Sequence, residues 1–210
     1  MKTLLLLSSS KLLEQDLSNY LGKPLSSLRI AHVINASKGA SDLSHIKKTK
    51  DLFKQHGCYF EDLDLDGKTE IKLKEILNKF DGVFVNGGNT FRLLKSIRES
   101  GFDKVIKELI SKGFIYMGAS AGSYVTCPTI EVASWKEREE DYDYCGLTDL
   151  TAMNLISFLL SVHYTEERRE MLEKNIPKTK YPVRILTDDQ AILVKDEDIS
   201  LIGKGNEIKI

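Results

Sequence analysis

Apolar positions along the chain alternate between short unbroken runs and longer stretches at helical spacing. Residues 2–9 (KTLLLLSS) read as a buried strand, and residues 11–21 follow with Leu12, Leu13, Leu17, Tyr20 and Leu21 on one helical face. The alternation repeats. Residues 29–35 (RIAHVIN) form a β-branched run before a polar helix over 41–56 that carries Leu43, Ile46 and Phe53. A third pair spans 59–65 and 71–80, and a fourth strand over 82–86 (GVFVN) ends at GGNT. A helical stretch over 91–112, interrupted near Gly101, leads to a strand over 114–117 that runs into GASAG and a short helix. Parallel strands need crossovers of this length, so the ladder predicts a doubly wound α/β fold with a mostly parallel sheet and helices on both faces. Past residue 128 the pattern changes to a strand-like 129–132, a charged, exposed insertion over 135–144 and an apolar 153–160. Strand candidates over 184–186, 191–194, 199–202 and 207–210 are expected to add an antiparallel edge. No repeat, low-complexity tract or linker divides residues 1–210, which read as one domain.

Composition narrows the function classes. With 41% hydrophobic and 29% charged residues, the chain has enough apolar mass for a packed core. Thirty Lys and Arg against 31 Asp and Glu leave a net charge of −1, without the basic excess that a phosphate backbone rewards. Nucleic acid is therefore not an expected partner. The apolar run at 4–7 is too short for a spanning helix or a signal-peptide core, so no membrane association and a cytoplasmic location are expected. Cys58, Cys127 and Cys145 are odd in number and far apart, which suggests neither a disulfide framework nor a metal site. There is no Walker lysine and no G-x-G-x-x-G after the first strand, so no cofactor is expected.

The strongest chemical signal is GASAG at 118–122, a G-x-S-x-G between a strand and a helix. Small neighbours let strand and helix close on each other while the hydroxyl of Ser120 projects above the strand ends. A serine needs a positioned base, and that base needs an acid to fix its tautomer. Of the four histidines, His32 lies in a predicted strand and His45 and His56 on the polar helix, whereas His163 follows an apolar segment from which it can reach the sheet edge. For the acid, the charged stretch after Ser120 offers Glu137 first, with Glu131 and Glu139 as alternatives. Oxyanion donors are expected from the N–H of Ala121 and from Gly88 in the GGNT turn, where Asn89 and Thr90 supply the helix cap and candidate substrate contacts. Arg168 and Arg169 either bind a substrate carboxylate or occupy a solvated helix face, and TDDQ at 187–190 reads as a plain turn.

GGNTFRLL at 87–94, GASAGSYV at 118–125, CPTI at 127–130, VHYTE at 162–166 and TDDQAILV at 187–194 together resemble the peptidase E (alpha-aspartyl dipeptidase) family of serine peptidases, over nearly the whole chain. That family resembles cyanophycinase and the class I glutamine amidotransferase-like fold. The resemblance implies a nucleophile at Ser120, a base at His163 and an oxyanion hole from Gly88 and Ala121. It also implies a small peptide substrate, with an acidic N-terminal residue as the family's preference. The chain departs from the pattern in two places. The family's Asp after the TI strand aligns near Trp135, so Glu137 stands in for it, and the loop between the histidine and a substrate-binding arginine is short, leaving Arg169 as the nearest match. The expected activity is hydrolysis of dipeptides or short peptides by a monomer or homodimer. A noncatalytic small-molecule binding protein on the same fold, an esterase and an isoaspartyl-peptide hydrolase are the alternatives.

Overall fold

The structure is a computed structural model that describes residues 1–136 and 142–210. Five parallel strands, β1 (Thr3–Leu7), β2 (Arg29–Val33), β3 (Tyr59–Leu63), β4 (Gly82–Val85) and β5 (Ile115–Ala119), form most of a seven-stranded sheet. Its order is β3-β2-β4-β5-β1-β8-β9, with β8 (Gln190–Lys195) and β9 (Asp198–Gly203) antiparallel at one edge. The predicted ladder is thus present. Side chains alternate along each strand between two cores: Leu4 and Leu6 of β1 join Val83, Val85 and Tyr116 on one face, while Leu5 and Leu7 join Phe84 and Met117 on the other.

Helices cover both faces. On the Leu5 side, the stretch read as one helix over 11–21 is a 3-10 turn at Ser10–Glu14 followed by a single turn, α1 (Ser18–Leu21). Asp16 causes the break, since its carboxylate accepts from the N–H of Ser18 and so favours a cap over helix continuation. The same side receives α2 (Ser44–Gln55) through Leu52 and Phe53. The other face receives α3 (Glu70–Leu77), α4 (Thr90–Ser100), α5 (Phe102–Ser111) and the one-turn α6 (Ala121–Tyr124). Gly101, at φ 70°, separates α4 from α5 where the sequence indicated a break.

Beyond α6 the structure departs from several expectations. The strand-like segment at 129–132 forms only an isolated bridge between Thr129 and Thr151 and then a 3-10 turn at Glu131–Ser134. The strand expected at 184–186 is β7 (Val183–Ile185), and it does not join the antiparallel edge. It pairs in parallel with β6 (Leu159–Ser161) in a separate two-stranded sheet, whose Leu159 and Leu160 are buried in the same core as Ala121 and Tyr124 of α6. Between them runs α7 (Arg169–Asn175). The segment at 207–210 contributes one bridge, Ile185 to Ile208. In the charged insertion, Trp135 and Tyr142 pack on the core rather than standing in solvent. Among the described residues no helix is long and apolar enough to cross a membrane.

Candidate active site

The chain turns sharply at the end of β5. Ser120 has φ 52° and ψ −111°, a conformation that costs a non-glycine residue about 1–3 kcal/mol and persists only where its surroundings enforce it. They do so here by close packing. A Cβ on Gly122 would lie 2.0 Å from the carbonyl oxygen of Val85, and one on Gly118 would lie 2.4 Å from that of Gly122. The backbone of α6 therefore sits directly on β4 and β5, a distance only glycine permits. The Ser123 hydroxyl lies 2.7 Å from the Leu7 carbonyl and 2.8 Å from that of Gly118, and the buried Tyr116 hydroxyl donates to Gly122 at 2.7 Å. Ser120 itself is tied back to β1 through its N–H and the Leu7 carbonyl at 3.1 Å.

His163 follows β6 with φ 59°, also in the left-handed region. Its N–H donates to the Ser8 hydroxyl at 2.8 Å, and the next N–H, that of Tyr164, donates to Leu186 at 2.9 Å. Held this way, the imidazole places Nε2 2.9 Å from Ser120 Oγ. The structure thus brings together the serine and the histidine, 43 positions apart in the chain.

His163 Nδ1 lies 2.5 Å from Asp188 Oδ1, so a carboxylate from the turn before β8 stands beside the imidazole. Glu137 and its alternative Glu139 lie outside the described residues, and Glu131 is engaged on a different element, accepting from the hydroxyl of Thr179. Asp188 arrives because β8 is antiparallel to β1: pairing Leu7 with Ala191 carries the turn that precedes β8 to the C-terminal end of β1. Ser8 completes the arrangement. Fully buried, it accepts from His163 N–H and donates to Asp188 Oδ1 at 3.1 Å, while Ser9 Oγ donates to the Asp188 carbonyl at 3.0 Å. The turn TDDQ, which reads as punctuation in the sequence, therefore carries the carboxylate, and Ser8 and Ser9 at the end of the first strand hold it in place.

Burial sets the charge of the imidazole. Loss of water pushes the His163 pKa below its ordinary value, aided by the positive charges of Lys136 and Arg168 and opposed by Asp188. The neutral form, with a lone pair on Nε2 and a proton on Nδ1 toward Asp188, is the one able to accept the serine proton.

The cleft over Ser120 has a volume of about 310 Å³ and is lined by Ser9, Ser10, His45, Asn86, Gly87, Gly88, Ala119 and His163. The turn after β4 forms one wall, close enough that a Cβ on Gly87 would lie 3.0 Å from Ser120 Cβ. Neither the N–H of Gly88 nor that of Ala121 meets an acceptor among the described residues. Of the two, Gly88 lines the cleft, whereas Ala121, the residue after Ser120, is buried and absent from the lining. Asn89 and Thr90 are not part of this lining. Asn89 caps α4, its Oδ1 accepting from Phe91 and Arg92, and reaches Asp143 through Nδ2, whereas Thr90 is buried at the start of that helix. Arg169 is also absent from the lining: it is paired with Glu166 in the turn before α7 and with Glu173 along that helix. Arg168 instead donates to the Val162 carbonyl at 2.9 Å, bracing the residue before His163. Among the described residues no group of His, Cys, Asp and Glu side chains converges in a way that could hold a metal ion.

Comparison with known proteins identifies the family. Peptidase family S51 matches residues 4–202. An uncharacterized peptidase of Listeria innocua is 30% identical, with 95% of each chain covered, and a peptidase E of Nostoc is 28% identical over 98% of this chain and 87% of its own. A crystal structure from Listeria monocytogenes EGD-e named for peptidase E superposes with a TM-score of 0.84 at 26% identity, covering 98% of this chain and all of that one. A peptidase from an acI-B1 actinobacterium shares the fold at 13% identity, with a TM-score of 0.69 over 97% of this chain and 88% of the other. A serine on a strained strand-to-helix turn, a histidine at 2.9 Å from it and a family match over residues 4–202 lead to one assignment: the chain belongs to peptidase family S51 and is a peptidase.

Proposed function

We propose that the protein is a serine peptidase that hydrolyses dipeptides or short peptides through an acyl-enzyme on Ser120. The observation that carries this reading is the hydrogen-bonded row Ser120 Oγ, His163 Nε2, His163 Nδ1, Asp188 Oδ1, at 2.9 and 2.5 Å. In the first half-reaction the hydroxyl attacks the scissile carbonyl as Nε2 takes its proton, and the imidazolium that forms is stabilised by Asp188. The carbonyl oxygen, now an oxyanion, takes the N–H groups of Gly88 and Ala121. His163 then returns the proton to the leaving amine, the C–N bond breaks, and water repeats the sequence on the ester to free the acid and regenerate Ser120. With Arg169 neutralised by Glu166, an anchor for an acidic N-terminal residue is not among the cleft's described lining, and the reading commits to short peptides rather than to aspartyl ones.

A fluorophosphonate probe tests the nucleophile. The protein is expected to label, Ser120→Ala is expected not to, and a labelled Ser120→Ala would remove the assignment. Turnover in a dipeptide panel that vanishes in His163→Ala separates a peptidase from a protein that only binds small molecules.

A further inference from the structure

A planar trans peptide points its C=O and the following N–H in opposite directions, so fixing one fixes the other. The Gly87–Gly88 peptide carries the proposed oxyanion donor, and its carbonyl is held from behind: Ser37 Oγ lies 2.8 Å from Gly87 O and 2.8 Å from His45 Nε2. A hydroxyl has one proton and the carbonyl can only accept, so Ser37 donates to Gly87 and accepts from His45, whose proton is on Nε2. Ser37 is 4% exposed, on the 3-10 turn that follows β2, while His45 stands on α2 at the edge of the cleft.

The other polar groups of the turn are also committed. Gly87 N–H donates to Asn86 Oδ1 at 2.8 Å, Asn86 Nδ2 donates to His32 Nε2 at 2.9 Å, and His32 Nδ1 lies 3.0 Å from Asp62. Asn89 N–H donates to Ala36 at 2.7 Å. Gly88 has φ 135°, and a Cβ there would lie 2.4 Å from the Ala36 carbonyl oxygen, so no other residue can occupy the position. Of the turn's three N–H groups at 87, 88 and 89, only that of Gly88 is left without an acceptor among the described residues.

We propose that Ser37, backed by His45, is a positioning residue for the hydrolysis: by clamping the Gly87 carbonyl it aims the Gly88 N–H at the oxyanion and polarises it. A hydrogen bond on a carbonyl strengthens the donor at the other end of the same peptide, so the row His45, Ser37, Gly87–Gly88 acts as one cooperative donor chain. Neither side chain touches the reacting atoms. The proposal rests on the reading of Ser120 as nucleophile, and the test keeps the two apart.

Turnover of a dipeptide found in the panel, or the rate of fluorophosphonate labelling, is measured for Ser37→Ala, for the matched pair Ser37→Thr and Ser37→Val, for His45→Phe and for its combination with Ser37→Ala, alongside thermal unfolding. Loss of a full oxyanion donor lowers kcat by ~10²–10³, so misaiming one is expected to cost about 10- to 100-fold in kcat with KM within about twofold. Ser37→Thr, which keeps the hydroxyl, is expected to stay within about threefold of the wild type, and Ser37→Val, its isostere without one, to fall as Ser37→Ala does. His45→Phe is expected to lose about three- to tenfold in kcat, with no further loss when combined with Ser37→Ala, because the two act through one contact. Equal turnover in the folded Thr and Val variants, or multiplying losses in the double variant, would overturn the proposal. If Ser120→Ala is silent while Ser37→Ala labels at the wild-type rate, the positioning role falls and the nucleophile stands; labelling of Ser120→Ala removes the reading beneath both.

Discussion

His163 is held on three sides: by Ser8 at its N–H, by Asp188 at Nδ1 and by Ser120 at Nε2. The Asp188 contact can be tested directly. Asp188→Asn keeps the shape but offers the imidazole the wrong partner, and kcat is expected to fall by about 10³–10⁴, as for the acid of other such rows. Glu131→Gln, whose carboxylate takes the Thr179 hydroxyl instead, is expected to stay within about twofold. A dipeptide assay comparing the two decides the acid, and a larger loss for Glu131→Gln would reverse the assignment. The pH profile follows from burial. Because desolvation lowers the His163 pKa, the acid limb of kcat/KM is expected to have its midpoint below the ordinary histidine value of about 6.5. Asp188 opposes that shift, so Asp188→Asn is expected to move the limb lower still, and a midpoint above 6.5 in the wild type would contradict the sign.

At the scale of elements, the site depends on how closely α6 lies on the sheet. Gly122→Ala places a methyl where the Val85 carbonyl already is, and α6 must lift away to admit it. The cost is expected to be about 3 kcal/mol or more, read as a lower midpoint in urea unfolding, with labelling of Ser120 lost even in the folded fraction. A variant as stable as the wild type would mean that α6 is not packed as described. The cap of α4 is a milder case. Asn89→Ala removes the side chain that accepts from Phe91 and Arg92 and is expected to destabilise the protein by about 1 kcal/mol, with kcat little changed because Asn89 is absent from the cleft lining. A large kcat effect without loss of stability would restore the substrate-contact role that its sequence position suggested.

On the scale of the whole molecule, His32 is a charge question buried in the sheet. It has no exposed surface, stands among Phe53, Phe60 and Phe84, and bonds Asp62 and Asn86. Burial outweighs the neighbouring Asp62 carboxylate and brings its pKa down to about 4. The unfolded chain therefore binds a proton below about pH 6.5 that the folded chain refuses. Stability from this group is complete above about 6.5 and is lost as pH falls toward 4, by about 3 kcal/mol in all. Urea unfolding across that window is expected to show the decline in the wild type and a shallower one in His32→Gln; parallel slopes would remove His32 as its source. The amino-acid sequence alone determined the βα ladder, the two faces of each strand and the turn at Ser120, because periodicity and small residues act over a few neighbours. It also singled out His163, the one histidine at the end of an apolar segment. The tertiary structure decided the rest. Asp188 meets His163 only because β8 runs antiparallel to β1 in one register, and the Gly87 carbonyl meets the Ser37 hydroxyl only because the ends of two separate strands lie side by side. A turn such as TDDQ looks the same in sequence whether or not it faces an imidazole, since what distinguishes it is the alignment of strands far apart in the chain.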